Sequence, residues 1–175
     1  RPNKAGTWGW RFEGHHLSLN FSLVNGRIFS VTPSFFGASP AKVNEGKHKG
    51  LRVLGEEETK AFKFLKSLSP PQKKMAVLSS KPPREILSGQ DNTVQVSTFL
   101  PAQGLPITKM NPRQRGWLSE VVQVYAAKHR PQSIKQIVRK KPLLHPTKTF
   151  FAWAGGLTPE TAHYYRIQTP DFLFE

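Results

Sequence analysis

The chain has 175 residues, 26 Lys and Arg against 11 Asp and Glu, a formal net charge of +15 and no cysteine. Disulfides, thiolate metal sites and cysteine catalysis are excluded. So is a membrane-spanning helix, because no run of ~18 apolar residues occurs.

Read from the N-terminus, the first structured stretch is "TWGWRF", which leads into an alternating run over residues 15–24. Leu17, Leu19, Phe21 and Leu23 share one face with His15, and Ser18, Asn20 and Ser22 share the other with His16. That period of two predicts a half-buried strand. Asn25-Gly26 predicts a two-residue type I′ turn, and "IFSVTPSFFG" the returning strand, with Pro33 at its end or on an edge. Residues 37–55, rich in Gly and Lys, read as loop. "EEETKAFKFLKSL", residues 56–68, predicts a helix: its first turn is acidic, its lysines follow, and Ala61, Phe62, Leu65 and Leu68 recur at helical spacing.

"SPPQ" reads as a stop, and "QKKMAVLS" as a short helix or strand. Residues 80–110 read as a long excursion with a strand at residues 93–99. Asn111 can cap a helix running to His129, with Pro112 in its first turn. Trp117, Leu118, Val121, Val124 and Tyr125 form its apolar stripe. "PQSIKQIVRKK" adds a shorter helix. "KTFFAWAGG", "HYYRIQ" and "DFLFE" read as three strands. The expected fold is a single α+β domain over residues 1–175: a mainly antiparallel sheet, an N-terminal β-hairpin, central helices and C-terminal strands. Both ends read as cut ends of a longer product.

The chemistry-bearing stretch is "EGHH". On a strand, Glu13 and His15 project from one face and His16 from the other, and carboxylate with neutral imidazole suits zinc, iron, manganese or copper. The competing interpretation is a hydrogen-bonded strand entrance. In "AHYYRIQ", Tyr164 and Arg166 are of a type that orients an anionic group, against a strand with one buried aromatic face. His48, His129 and His145 read as solvated, as a helix-end cation and as part of a connection. The basic clusters fall in separate loops and helix ends, and the aromatics at core-like positions. That pattern favours a generally basic surface, with weak nonspecific nucleic-acid binding, over a dedicated nucleic-acid reader. Gly-x-Ser-x-Gly, His-Glu-x-x-His and phosphate-binding glycine motifs are all missing.

"WGWRFEGHHLSLNFSLVNG", "TPSFFGASPAKV", "GLRVLGEEE" and "FFAWAGG…HYYRIQTPDFLFE" together resemble the family of domains of unknown function numbered thirty-five hundred, from Trp8 to Glu175. The family pattern runs on past Glu175 through an acidic, amide-rich stretch to a His-x-His segment that this chain lacks. The resemblance therefore implies a piece of a longer protein, with a missing segment or a partner chain next to Glu175. It also implies a transition-metal site with ligands among His15, His16 and Glu175, zinc first and iron or copper after it. Glu13 is the candidate general base, and Tyr164 and Arg166 face substrate. The expected function is a metal-dependent hydrolase, with an oxidoreductase second. The alternative is a non-enzymatic basic module for an anionic polymer or an acidic partner. Absence of cysteine suits a soluble protein of the cytoplasm or a secreted one without disulfides.

Overall fold

Alternation and turn chemistry build the N-terminal sheet, and helical periodicity the helices that follow it. The computed structural model describes residues 5–88, 101–138 and 142–175. In chain order it contains strands β1 (Thr7–Gly14), β2 (Leu17–Val24), β3 (Arg27–Ser30) and β4 (Ser34–Phe36). Helices α1 (Gly55–Lys66) and α2 (Pro70–Ala76) follow, then β5 (Val77–Ser79) and β6 (Leu105–Pro106). Next come α3 (Pro112–Ala127), α4 (Pro131–Val138), β7 (Phe150–Gly155), β8 (His163–Gln168) and β9 (Leu173–Phe174). The architecture is α+β, with antiparallel pairings except for β5 beside β7. The strand expected over residues 93–99 lies outside the described residues. Among the described residues no helix is long and apolar enough to cross a membrane. The chain divides into two units, residues 1–55 with 126–142, and residues 56–125 with 143–175.

In the first unit β1 and β2 pair over their full lengths, from Thr7↔Val24 to Gly14↔Leu17. Asn25 and Gly26 then turn the chain with φ of 50° and 72°, the left-handed pair that a type I′ turn requires. The Asn25 side chain accepts from the Gly6 amide at 2.9 Å. The single returning strand expected from "IFSVTPSFFG" is split into β3 and β4, both paired with β2. Pro33 has no amide hydrogen to give to a ladder, so the strand breaks there. Helix α4 packs against β3 and buries Ser133 and Ile137. Strand β1 is the sheet's outer strand.

The second unit carries a sheet in the order β5-β7-β8-β9, with β6 also on β7. Its core joins α1, α3 and one face of that sheet: Ala61, Phe62, Phe64, Leu65, Leu118, Val121, Val122, Phe151, Trp153, Tyr165 and Ile167 are buried in one cluster. Each large side chain taken fully from water contributes about 1.5–3 kcal/mol. Aromatic edges meet faces where Phe62 abuts Trp153 and Phe64 abuts Phe151. Asn111 caps α3 as its sequence suggests: Asn111 Oδ1 accepts from the Gln114 amide at 2.8 Å, and Gln114 Oε1 from the Asn111 amide at 3.0 Å. "SPPQ" begins α2 as well as ending α1. Proline suits a first helical turn, where its missing amide hydrogen costs nothing.

Candidate functional site

His15 and His16 are not strand residues. They form the two-residue turn between β1 and β2, and the alternating strand starts at Leu17. The face assignment that paired Glu13 with His15 does not apply in a turn. The two rings stand edge to face with centroids 4.5 Å apart. The Gly37 amide donates to the His16 main-chain oxygen at 2.8 Å. A β-carbon at Gly37 would come within 3.0 Å of His16 Nδ1, so the end of β4 packs closely on that ring. Glu13, two residues before the turn, is exposed and paired with Arg11 Nε at 3.1 Å. Both histidines are exposed, with side chains open to a ligand from solvent.

Tyr164, Arg166 and Glu175 meet in the second unit. Strand parity puts Tyr164 and Arg166 on one face of β8, opposite the face from which His163 and Tyr165 stack on Trp153. The Glu175 carboxylate accepts from the Tyr164 hydroxyl, from the Leu87 amide at 2.8 Å and from the Ser88 amide at 3.1 Å. Arg166 is buried. Its Nη2 donates to Gln103 Oε1 at 3.4 Å, and its Nε has no hydrogen-bond partner among the described residues. Burial, followed by the hydrogen bond to Glu175 and that residue's charge, pushes the Tyr164 phenol far above its ordinary range, against a smaller opposing effect of Arg166. Tyr164 is therefore a proton donor in hydrogen bonds and not a base at neutral pH.

A second hydroxyl chain lies beside this group. Tyr165 and Tyr125 hydroxyls are 2.7 Å apart, and Tyr125 donates to the Glu175 main-chain oxygen at 2.8 Å. Since Tyr125 spends its single proton there, Tyr165 is the donor between them. Burial raises both phenols strongly. Neither Tyr125 nor the Leu87 and Ser88 amides carry a sequence signal for this partnership. Tyr125 lies 50 residues from Glu175 and reads only as one member of an apolar stripe.

Three of the remaining histidines, His129, His145 and His163, are half-buried, and His48 is exposed. His163 is packed between Phe62 and Trp153, with Nε2 3.3 Å from Glu58 and Nδ1 2.7 Å from the Thr161 oxygen. His145 Nδ1 lies 3.1 Å from the Lys148 amide, which donates to it across a tight turn. Burial, and then the charge of Lys128, lowers the pKa of His129. Among the described residues no three His, Cys, Asp or Glu side chains converge as a metal cage.

The exposed aromatics were the larger omission. Trp10 and Phe12 on β1, Phe29 on β3 and Phe35 on β4 are 49, 57, 65 and 43% exposed. The expectation that aromatics occupy core positions fails on this sheet. The only sequence signal was the alternation Trp8, Trp10, Phe12, which defines a shared face without saying whether anything covers it.

Over residues 1–175 the sequence matches the family described as Protein of unknown function (DUF3500). No curated protein matches the chain, and no solved structure does.

Proposed function

The chain belongs to the DUF3500 family, and we propose that it is a metal-dependent enzyme, hydrolytic in type, whose ion is held at the β1–β2 turn by His15 and His16. The observation behind this is the 4.5 Å separation of the two rings. An imidazole nitrogen binds zinc at ~2.0–2.1 Å, so each ring centroid sits ~3.2 Å from the ion, and two rings ~90–110° apart on one ion have centroids ~4.5–5.2 Å apart. The donors are imidazole without sulfur, which suits zinc first and iron or copper next. Two imidazoles are half of a tetrahedral set, and a catalytic site keeps positions open for water and substrate.

Such an ion supplies Lewis-acid polarisation of a substrate carbonyl or phosphoryl group. Glu13, with its carboxylate steadied by Arg11, is the proton acceptor. Tyr164 and Arg166, in the second unit, are not part of this assignment: the Tyr164 hydroxyl is committed to Glu175. Glu175 is committed to three donors and is not needed as a ligand.

The test is metal content by mass spectrometry on the purified chain and on a variant carrying His15→Ala and His16→Ala. Near-stoichiometric metal, lost in the variant, supports the assignment. Equal metal in both, or none after refolding with zinc, iron and copper, overturns it.

A second reading, a basic module for an anionic polymer or acidic partner, is favoured by where the charge lies. Residues 1–55 and 126–142 hold 14 of the 26 Lys and Arg and only two of the 11 Asp and Glu. A net charge of +12 is thereby gathered in the first unit, where the sequence suggested scatter. This module binds without metal, with affinity that falls steeply with salt, so chelation separates the two.

A further inference from the structure

We infer that the β1–β2 face of the first unit is a binding surface for single-stranded nucleic acid, with unpaired bases stacking on Trp10 and Phe12 and the phosphates attracted by the unit's excess of Lys and Arg. The inference rests on the anionic-polymer reading and names its ligand.

Trp8, Trp10 and Phe12 alternate along β1 and lie across from Leu23, Phe21 and Leu19 of β2, so they share one face. Trp10 lies flat on Phe21, with centroids 4.1 Å apart and planes at 14°. This stack fixes the indole and leaves it 49% exposed. Phe12, one side-chain repeat further, is 57% exposed. Water-exposed aromatic faces held rigidly on a strand are what base stacking uses, and every base has a face to offer. Two residues of strand span ~7 Å, twice the ~3.4 Å rise per base of a stacked duplex strand. The platform therefore suits splayed single-strand bases. Among the described residues β1 pairs only with β2.

The charge selects the partner. Among the described residues of this unit, Arg27, Lys42, Lys47, Lys49, Arg130 and Lys135 are all exposed. Their acidic counterparts are Glu13, already paired with Arg11, and Glu45. A second copy of the chain would set +12 against +12, which opposes self-association through this face. An acidic peptide answers the charge but leaves the ring faces without flat partners. An anionic membrane answers the charge and the apolar exposure. It favours side chains that insert as wedges, however, whereas Trp10 presents a ring face already backed by Phe21.

The experiment uses the full chain and four probes: a fluorescein-labelled 20-nucleotide oligothymidylate, a duplex of the same length, heparin, and vesicles containing phosphatidylserine. Anisotropy is read at 50 and 200 mM salt, together with intrinsic tryptophan emission. The expected result is binding of the single strand in preference to the duplex, weakened at the higher salt, with quenching of tryptophan emission. Trp10→Ala removes the quenching, and Trp10→Ala and Phe12→Ala each weaken binding about 5- to 100-fold. Circular dichroism checks the fold. Phe12→Ala is the safer variant, because Phe12 is the more exposed of the two, whereas Trp10 also supports Phe21. Equal binding of duplex and heparin without quenching overturns the inference and leaves the anionic-polymer reading standing. Vesicle binding without oligonucleotide binding also overturns the inference. Absence of binding to all four probes at 50 mM salt overturns both.

Discussion

Tyr125→Phe tests the hydroxyl chain most sharply, because it removes one oxygen from the middle of two hydrogen bonds. The Tyr125 hydroxyl accepts from Tyr165 at 2.7 Å and donates to the Glu175 main-chain oxygen at 2.8 Å. Its loss leaves the Tyr165 hydroxyl without that hydrogen bond in a buried position. An orphaned buried hydroxyl costs about 1–3 kcal/mol and the lost outer bond about 1, for a total of about 2–4 kcal/mol. Tyr165→Phe is milder, about 0.5–1.5 kcal/mol, because Tyr125 keeps its bond to Glu175. The two effects do not add. Introducing Tyr165→Phe into the Tyr125→Phe variant deletes the orphan, so the second substitution should restore about 1 kcal/mol. Urea unfolding followed by circular dichroism measures all four proteins of the cycle. At this chain length, 1 kcal/mol is about 2–4 °C in Tm. If the double variant is less stable than Tyr125→Phe alone, the hydroxyl chain as described is wrong.

The chain's three tyrosines are Tyr125, Tyr164 and Tyr165, and the pKa of each is raised, with burial as the first cause. A raised phenol favours the folded state below the unfolded value of about 10, and that stability is lost as pH rises beyond it. Tyrosinate absorbance at 295 nm should therefore appear only together with alkaline unfolding, in one cooperative step; gradual ionisation of a still-folded chain from pH 9.5 would contradict the burial. Glu175→Gln replaces an acceptor oxygen with a donor facing amide or hydroxyl hydrogens. It should cost about 1–3 kcal/mol and speed hydrogen exchange at the Leu87 and Ser88 amides, and unchanged exchange there would show that the carboxylate does not hold residues 87–88.

Local chemistry was legible wherever a short segment determines its own conformation. Asn25-Gly26 must adopt positive φ, Asn111 and Gln114 cap each other within one turn, and the acidic start of α1 matches its dipole. The His15–His16 turn was missed for a physical reason. Neither histidine has a positive φ, so the turn needs no Gly or Asn and leaves no such signature. The split between β3 and β4 was half legible, since Pro33 marked an end without showing that the chain resumes on the same partner strand. Burial was legible for the core of α1 and α3. It was illegible for β1, because alternation sorts residues onto faces and cannot report what covers a face.

The two uses proposed for the first unit respond oppositely to salt, and this follows from its charge alone. A divalent ion at His15 and His16 must approach a unit carrying +12 by sequence. Long-range repulsion opposes it, and added salt screens that repulsion within a Debye length of about 10 Å at 0.1 M. Metal affinity should therefore rise with ionic strength, most steeply below about 0.1 M. Nucleic-acid affinity should fall over the same range as counterions compete for the Lys and Arg. A bound polyanion also cancels part of the charge, so it should tighten metal binding, and by reciprocity zinc should tighten polyanion binding by the same factor. Zinc titrations by calorimetry at 20 and 200 mM salt, with and without the oligothymidylate, measure both slopes and the coupling. If zinc binds equally well at both salts, the ion does not sit within the field of this unit, and the assignment to His15 and His16 falls with it.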